Sequence, residues 1–223
     1  MAFNDSAVTR SSSSVLETNK VLKNTYSLLS ITLIFSGIMA AISMAINVPY
    51  GASMISSLVA LGLVWFVLPR TANSSMGIVV VFAFTGLLGF GLGPILNHYL
   101  AFENGARIIS LSLAGTGIIF LGLSGYALTT KKDFSFLGGF LFAGMLMVII
   151  AVIANIFLGF QGLALAISSI VILIMSGFIL YDTSRIINGG EKNYIMATVG
   201  LYLSIYNIFV SLLHLLGALG GDD

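Results

Sequence analysis

Asp182 ends a run of 48 residues, 134–181, in which no other charge occurs, and Arg185 follows it at i+3. A carboxylate placed that way can hold a proton or help coordinate a cation, or it can pair with the arginine for a few tenths of a kcal/mol, about 0.2–0.5. Farther on, Gly200, Ser204, Asn207, Ser211 and His214 recur at spacings of 4, 3, 4 and 3, which places them on one face of a helix. Such a stripe either makes interhelical hydrogen bonds, about 1 kcal/mol or less each, or lines a water-filled, ion-conducting seam. Both readings stay open on spacing alone.

Two patterns suggest proteolysis. Gly122-Leu123-Ser124-Gly125 matches the Gly-x-Ser-Gly of rhomboid-type serine proteases, with His214 as the notional base. The pattern is cheap in a chain with 25 glycines, and Ser124 and His214 are expected near opposite ends of their helices. Tyr181-Asp182 echoes the Tyr-Asp of presenilin-type aspartyl proteases, but such a dyad needs a second carboxylate to share a proton, and no Gly-x-Gly-Asp follows. His-Glu-x-x-His, phosphate-binding loops and dinucleotide fingerprints are absent, so no catalytic residue, metal site or cofactor is assigned. With no cysteine there is no disulfide, thiolate metal site or thiol nucleophile.

The elements that must position these residues follow from charge. Only 8% of the 223 residues are charged and 58% are hydrophobic, too few ionised groups for the surface of a soluble domain. A net charge of +1 without a basic stripe points away from nucleic acid. The charges leave five free blocks, 24–69, 71–102, 108–130, 134–181 and 193–221. About 20 apolar residues cross a bilayer, so the three shorter blocks hold one helix each. The two longer ones fold back at Asn47-Val48-Pro49-Tyr50-Gly51 and at Gly159-Phe160-Gln161-Gly162. An all-α membrane protein of seven transmembrane helices is expected, near 25–46, 52–69, 76–97, 106–130, 135–158, 163–183 and 194–217.

Alternating the segments puts Arg10, Lys20, Lys23, Arg70, Lys131, Lys132, Arg185 and Lys192 on one side and Arg107 alone on the other. The positive-inside rule then makes the N-terminus cytoplasmic and the C-terminus external, unless the polar last helix is re-entrant. Residues 1–24, with a serine run at 11–14, form a polar cytoplasmic tail without the apolar core of a cleaved signal; 25–217 form the bundle and 218–223 a short C-terminal tail. On the third helix Gly86, Gly89, Gly91 and Gly93 crowd before Pro94, which suits close helix packing or an irregular turn lining a cavity.

The stretch Ile179-Leu180-Tyr181-Asp182-Thr183-Ser184-Arg185-Ile186-Ile187, with Leu201-Tyr202-Leu203, Asn207-Ile208-Phe209 and Leu212-Leu213, resembles the Bax inhibitor-1 (transmembrane Bax inhibitor motif) family. Gly93-Pro94-Ile95-Leu96 and Lys131-Lys132-Asp133-Phe134-Ser135-Phe136-Leu137 support the resemblance, which runs from about residue 20 to the end of helix seven. Lys23-Asn24-Thr25-Tyr26, Gly189-Gly190-Glu191 and Asn193-Tyr194-Ile195 look most like its bacterial inner-membrane YccA-like branch. The resemblance implies six helices around a central seventh. It also implies a non-enzymatic modulator that engages the FtsH protease through its cytoplasmic tail and slows degradation of membrane substrates. Other bacterial members look like pH-sensitive calcium leak channels, in which carboxylates on helices six and seven pair and an arginine ending helix two latches the pore. Carried over, Asp182 matches the first carboxylate, Ser204 stands where the second would be, and Arg70 matches the arginine loosely, with Asn207 beside them. A lone aspartate cannot make the shared-proton pair, which weighs toward the protease modulator.

Overall fold

The computed structural model describes the backbone of residues 5–220 and the side chains of residues 16–220. The side chains of the serine run 11–14 and of Arg10, and the acidic end Asp222-Asp223, lie outside the described residues. Seven helices long and apolar enough to cross a membrane follow one another: α1 Asp5–Ala45, α2 Tyr50–Thr71, α3 Ser75–Leu100, α4 Gly105–Thr130, α5 Leu137–Leu158, α6 Gln161–Ile187 and α7 Tyr194–Gly220. No strand occurs among the described residues.

The folding-back points fall where the helix breakers stand. Asn47 adopts φ 52° in the turn before Pro49, and Gly159 adopts φ 60° between α5 and α6, a left-handed conformation that asparagine and glycine tolerate best. At 27 residues α7 is about 40 Å long and unbroken, long enough to cross a bilayer. The backbone is helical as far back as Asp5, so the segment expected as a tail continues α1, and its Val21 and Leu22 pack against the bundle core.

Pro69 cannot donate to the carbonyl one turn back, and α2 widens into a π turn at Leu63–Val67 just before it. Pro94, by contrast, sits within a continuous α3. There the serines of α2 supply donors to α3 carbonyls, Ser53 to Gly91 and Ser56, at 2.7 Å, to Leu87. The glycines of α3 serve packing and not an irregular turn: Gly86 faces Phe35, Gly89 faces Ser36 and Gly93 faces Ser43 on α1, while Gly91 faces Ser57 on α2.

Helix α7 packs directly on α1, α3, α4 and α6, whereas α2 packs on α3 and α5 packs on α6. Four helices therefore touch α7, and the remaining two, α2 and α5, pack against α3 and α6 instead of against α7. The exposed apolar side chains of those two helices, among them Trp65, Phe66, Phe140 and Ile156, suit a hydrocarbon surface.

Candidate functional site

Asp182 lies one turn before the end of α6, opposite Gly200 of α7. A Cβ at Gly200 would fall 2.8 Å from the Asp182 Oδ2, so the glycine is what leaves room for the carboxylate at this crossing. The pairing with Arg185 that the i+3 spacing left open does not form. The Arg185 guanidinium turns instead to the α6–α7 loop, 3.3 Å from the Glu191 carboxylate and 3.4 Å from the Gly190 carbonyl, and lies 5.5 Å from the centre of the Tyr181 ring. Being nearer the helix end, it reaches the loop's acceptors, whereas Asp182 is turned onto α7. No described residue makes a hydrogen bond to the Asp182 carboxylate.

Ser204, 2% exposed, donates to the Gly200 carbonyl at 3.2 Å, and the Asn207 amide donates to the Leu203 carbonyl at 2.8 Å. Both side chains spend their donors on their own helix. Arg70 does the same, donating to the Phe66 carbonyl near the π turn. Since α2 touches neither α6 nor α7, Arg70 is not brought to Asp182. At the far end of α7, His214 Nδ1 and the Ser168 hydroxyl of α6 share a hydrogen bond of 2.8 Å. Gly200 and His214 are 14 positions apart on α7, about 21 Å at 1.5 Å per residue. The stripe thus has an acidic contact at one end and an imidazole contact at the other.

Two hydroxyl clusters were hidden from pattern reading. Ser124 of α4 is held between Tyr26 of α1, at 2.5 Å, and Thr183 of α6, at 3.0 Å. Thr183 and Ser168 are 15 positions apart on α6, about 22 Å along its axis, so the Ser124 and His214 bonded to them do not form a nucleophile and base. On the other side of α7, the Tyr202 hydroxyl meets the Ser36 hydroxyl at 2.6 Å and donates to the Thr85 carbonyl at 3.3 Å. Its ring packs edge-on against Phe84 at 5.5 Å and stacks with Tyr206 at 6.3 Å. Tyr202 is 1% exposed and joins α7 to α1 and α3 at once.

The loops at the Asp182 end are also tied. Asn193 donates to the Ala72 carbonyl at 3.0 Å and to the Asn73 side chain at 2.8 Å, while its own oxygen caps the N–H groups of Ile195 and Met196. Ser184 accepts from the Phe134 N–H and donates to the Lys132 carbonyl, joining α6 to the α4–α5 loop. In that loop Asp133 accepts from the Ser135 hydroxyl and N–H, which holds its carboxyl below the ordinary carboxylate range. The α2–α3, α4–α5 and α6–α7 loops therefore gather at one end, the end where the charge count places the basic residues. Among the described residues no three His, Asp or Glu side chains form a metal site.

The chain is 53% identical over 209 residues, 94% of each protein, to the Escherichia coli K12 protein named Modulator of FtsH protease YccA. It is 52% identical over 223 residues to an uncharacterized membrane protein of Vibrio cholerae, covering 99% of this chain and 100% of that one. A Pseudomonas aeruginosa protein, PA2604, is 49% identical over 93% of both chains. Residues 18–221 match the family described as Inhibitor of apoptosis-promoting Bax1. Together with the seven apolar helices, a match of that extent makes the chain a multi-pass membrane protein that belongs to the Bax inhibitor-1 family.

Proposed function

We propose that this chain is a non-enzymatic regulator of the bacterial inner membrane that associates with the FtsH protease and restrains its degradation of membrane proteins. The observation that carries this reading is the 53% identity, along 94% of both chains, to the E. coli modulator. The helical extension of α1 toward Asp5 is, on this reading, the segment that such a partner engages. On this reading the N-terminus and the tied loops face the cytoplasm, in keeping with the positive-inside rule, and the C-terminus is periplasmic. Tagged full-length protein should co-purify FtsH and slow degradation of a membrane substrate, and deletion of residues 1–15 should abolish the inhibition while the bundle remains folded. Absence of FtsH from the purified material removes the proposal; undiminished inhibition by the truncated protein removes the role of the extension alone.

The second reading, a pH-sensitive leak for calcium or another cation, is favoured by the Asp182 carboxylate, which has no hydrogen-bond partner among the described residues where it crosses α7. The missing second carboxylate at Ser204 weighs against it. Reconstituted vesicles containing a calcium dye distinguish the two. Flux in the parent that Asp182→Asn removes supports conduction. Silence of both the parent and Ser204→Asp, at acid and neutral pH, rejects it.

A further inference from the structure

At the basic end of the bundle, the extension of α1, the end of α4 and the α6–α7 loop enclose an open cleft of about 840 Å³. Three exposed lysines from three different elements line it: Lys20 on α1, Lys131 just past α4 and Lys192 on the loop. Two carboxylates also line it, Glu17 and Glu191, but Glu191 is engaged by Arg185 at 3.3 Å. The cleft is therefore net positive. Lys131 takes φ 52° where α4 ends, a left-handed position that favours glycine, so an ammonium group stands at the rim where the backbone would more readily accept no side chain. The floor is apolar, made by Leu22, Leu128 and Ile187, each half-buried. Its depth is that of the helix ends, since α4 stops at Thr130 and α6 at Ile187.

A ligand suited to this cleft has an anionic head for the lysines and an apolar body for the floor, and it arrives along the membrane surface. We propose that the cleft binds the headgroup of an anionic phospholipid, the phosphate between Lys20, Lys131 and Lys192 and the glycerol and upper acyl chains over Leu22, Leu128 and Ile187. The apolar floor at the end of two spanning helices favours a lipid over a free phosphate, which would use only the lysines. Occupancy would join the α1 extension to the α6–α7 loop, which already approach each other where Thr18 lies near Gly189. The assignment stands independently of any protease partner.

Native mass spectrometry of the full-length protein released from detergent, with added phosphatidylglycerol, cardiolipin or phosphatidylethanolamine, tests it. The two anionic lipids should bind one per chain and more tightly than phosphatidylethanolamine, by about fivefold for each lysine engaged. The triple variant K20E/K131E/K192E should fall to the phosphatidylethanolamine level, and K20R/K131R/K192R should keep the preference. Equal binding of all three lipids to the parent protein overturns the proposal, whether or not the charge-reversed variant folds. So does an unchanged preference in a folded charge-reversed variant. Displacement of the lipid by millimolar inorganic phosphate overturns the lipid assignment in favour of a soluble anion.

Discussion

The Asp182 carboxylate of α6 and the bare Cα of Gly200 on α7 are in such close register that a Cβ on the glycine would fall 2.8 Å from Oδ2. The missing side chain at Gly200 leaves room for the carboxylate where the two helices meet. Gly200→Ala should therefore lower the thermal denaturation midpoint of the detergent-purified protein, corresponding to about 1–3 kcal/mol of overpacking. Asp182→Ala in the same chain should recover most of that loss, because the atom that collides is gone. Additive losses in the double variant would mean that the two positions are not in contact.

The Tyr202 hydroxyl serves Ser36 of α1 and the Thr85 carbonyl of α3. Tyr202→Phe keeps the edge-on contact with Phe84 but leaves these groups without that partner, at a cost of about 1–2 kcal/mol. Ser36→Ala should cost less, and in its background the Tyr202→Phe change should cost less than in the parent, retaining only the loss of the bond to the Thr85 carbonyl, if the two hydroxyls are partners. Denaturation midpoints of the two single variants and the double variant measure the coupling.

Asn193 performs two tasks with different atoms, capping α7 with Oδ1 and holding the α2–α3 loop with Nδ2. Asn193→Ala should lose both, about 1 kcal/mol for the cap alone, and speed amide exchange at Ile195 and Met196. Asn193→Asp keeps the cap acceptor and loses the donor. Exchange at α7 should then stay slow while the α2–α3 loop alone loosens. Faster exchange of the first α7 turn in the aspartate variant would contradict this division.

Asp133 is fully exposed, yet its bonds to Ser135 hold its carboxyl below the usual range. A carboxyl depressed by folding stabilises the loop above its ordinary pKa of 3.8, and the contribution is lost as the pH falls through the lower, folded value. The Ser135 amide should exchange faster than expected from intrinsic rates only on acidification below about 4. In Asp133→Asn that extra acceleration should vanish.

The seven spans were legible because membrane crossing is a local demand. Twenty or so apolar residues without a charge satisfy it wherever their partners lie, and the breaks at Asn47 to Gly51 and Gly159 to Gly162 are local as well. The grouping of the basic loops was legible from alternation alone. Asp182 could be singled out by the uncharged run before it, but its partner could not be deduced. The i+3 spacing left pairing with Arg185 open, and the arginine reaches Glu191 instead. The helix-seven stripe was found by periodicity, yet Ser204 and Asn207 bond within their own helix, and only His214 crosses to a neighbour. A hydroxyl or amide in a helix can satisfy itself on the carbonyl one turn back, so its presence does not reveal which use it makes.

By itself the amino-acid sequence determined the number of helices, their approximate ends, which loops share a side, and the family whose residues it carries. All of these depend on neighbours along the chain. Only the tertiary structure decided that Tyr202 joins three helices, that Ser124 is bonded to Tyr26 and Thr183, that Arg70 stays with its own helix, and that Gly200 accommodates Asp182. Hydrogen bonding and close packing between helices depend on their rotation and height relative to one another, quantities set by side chains on different helices, 98 positions apart for Tyr26 and Ser124 and 166 for Ser36 and Tyr202, and carried by no single stretch of sequence.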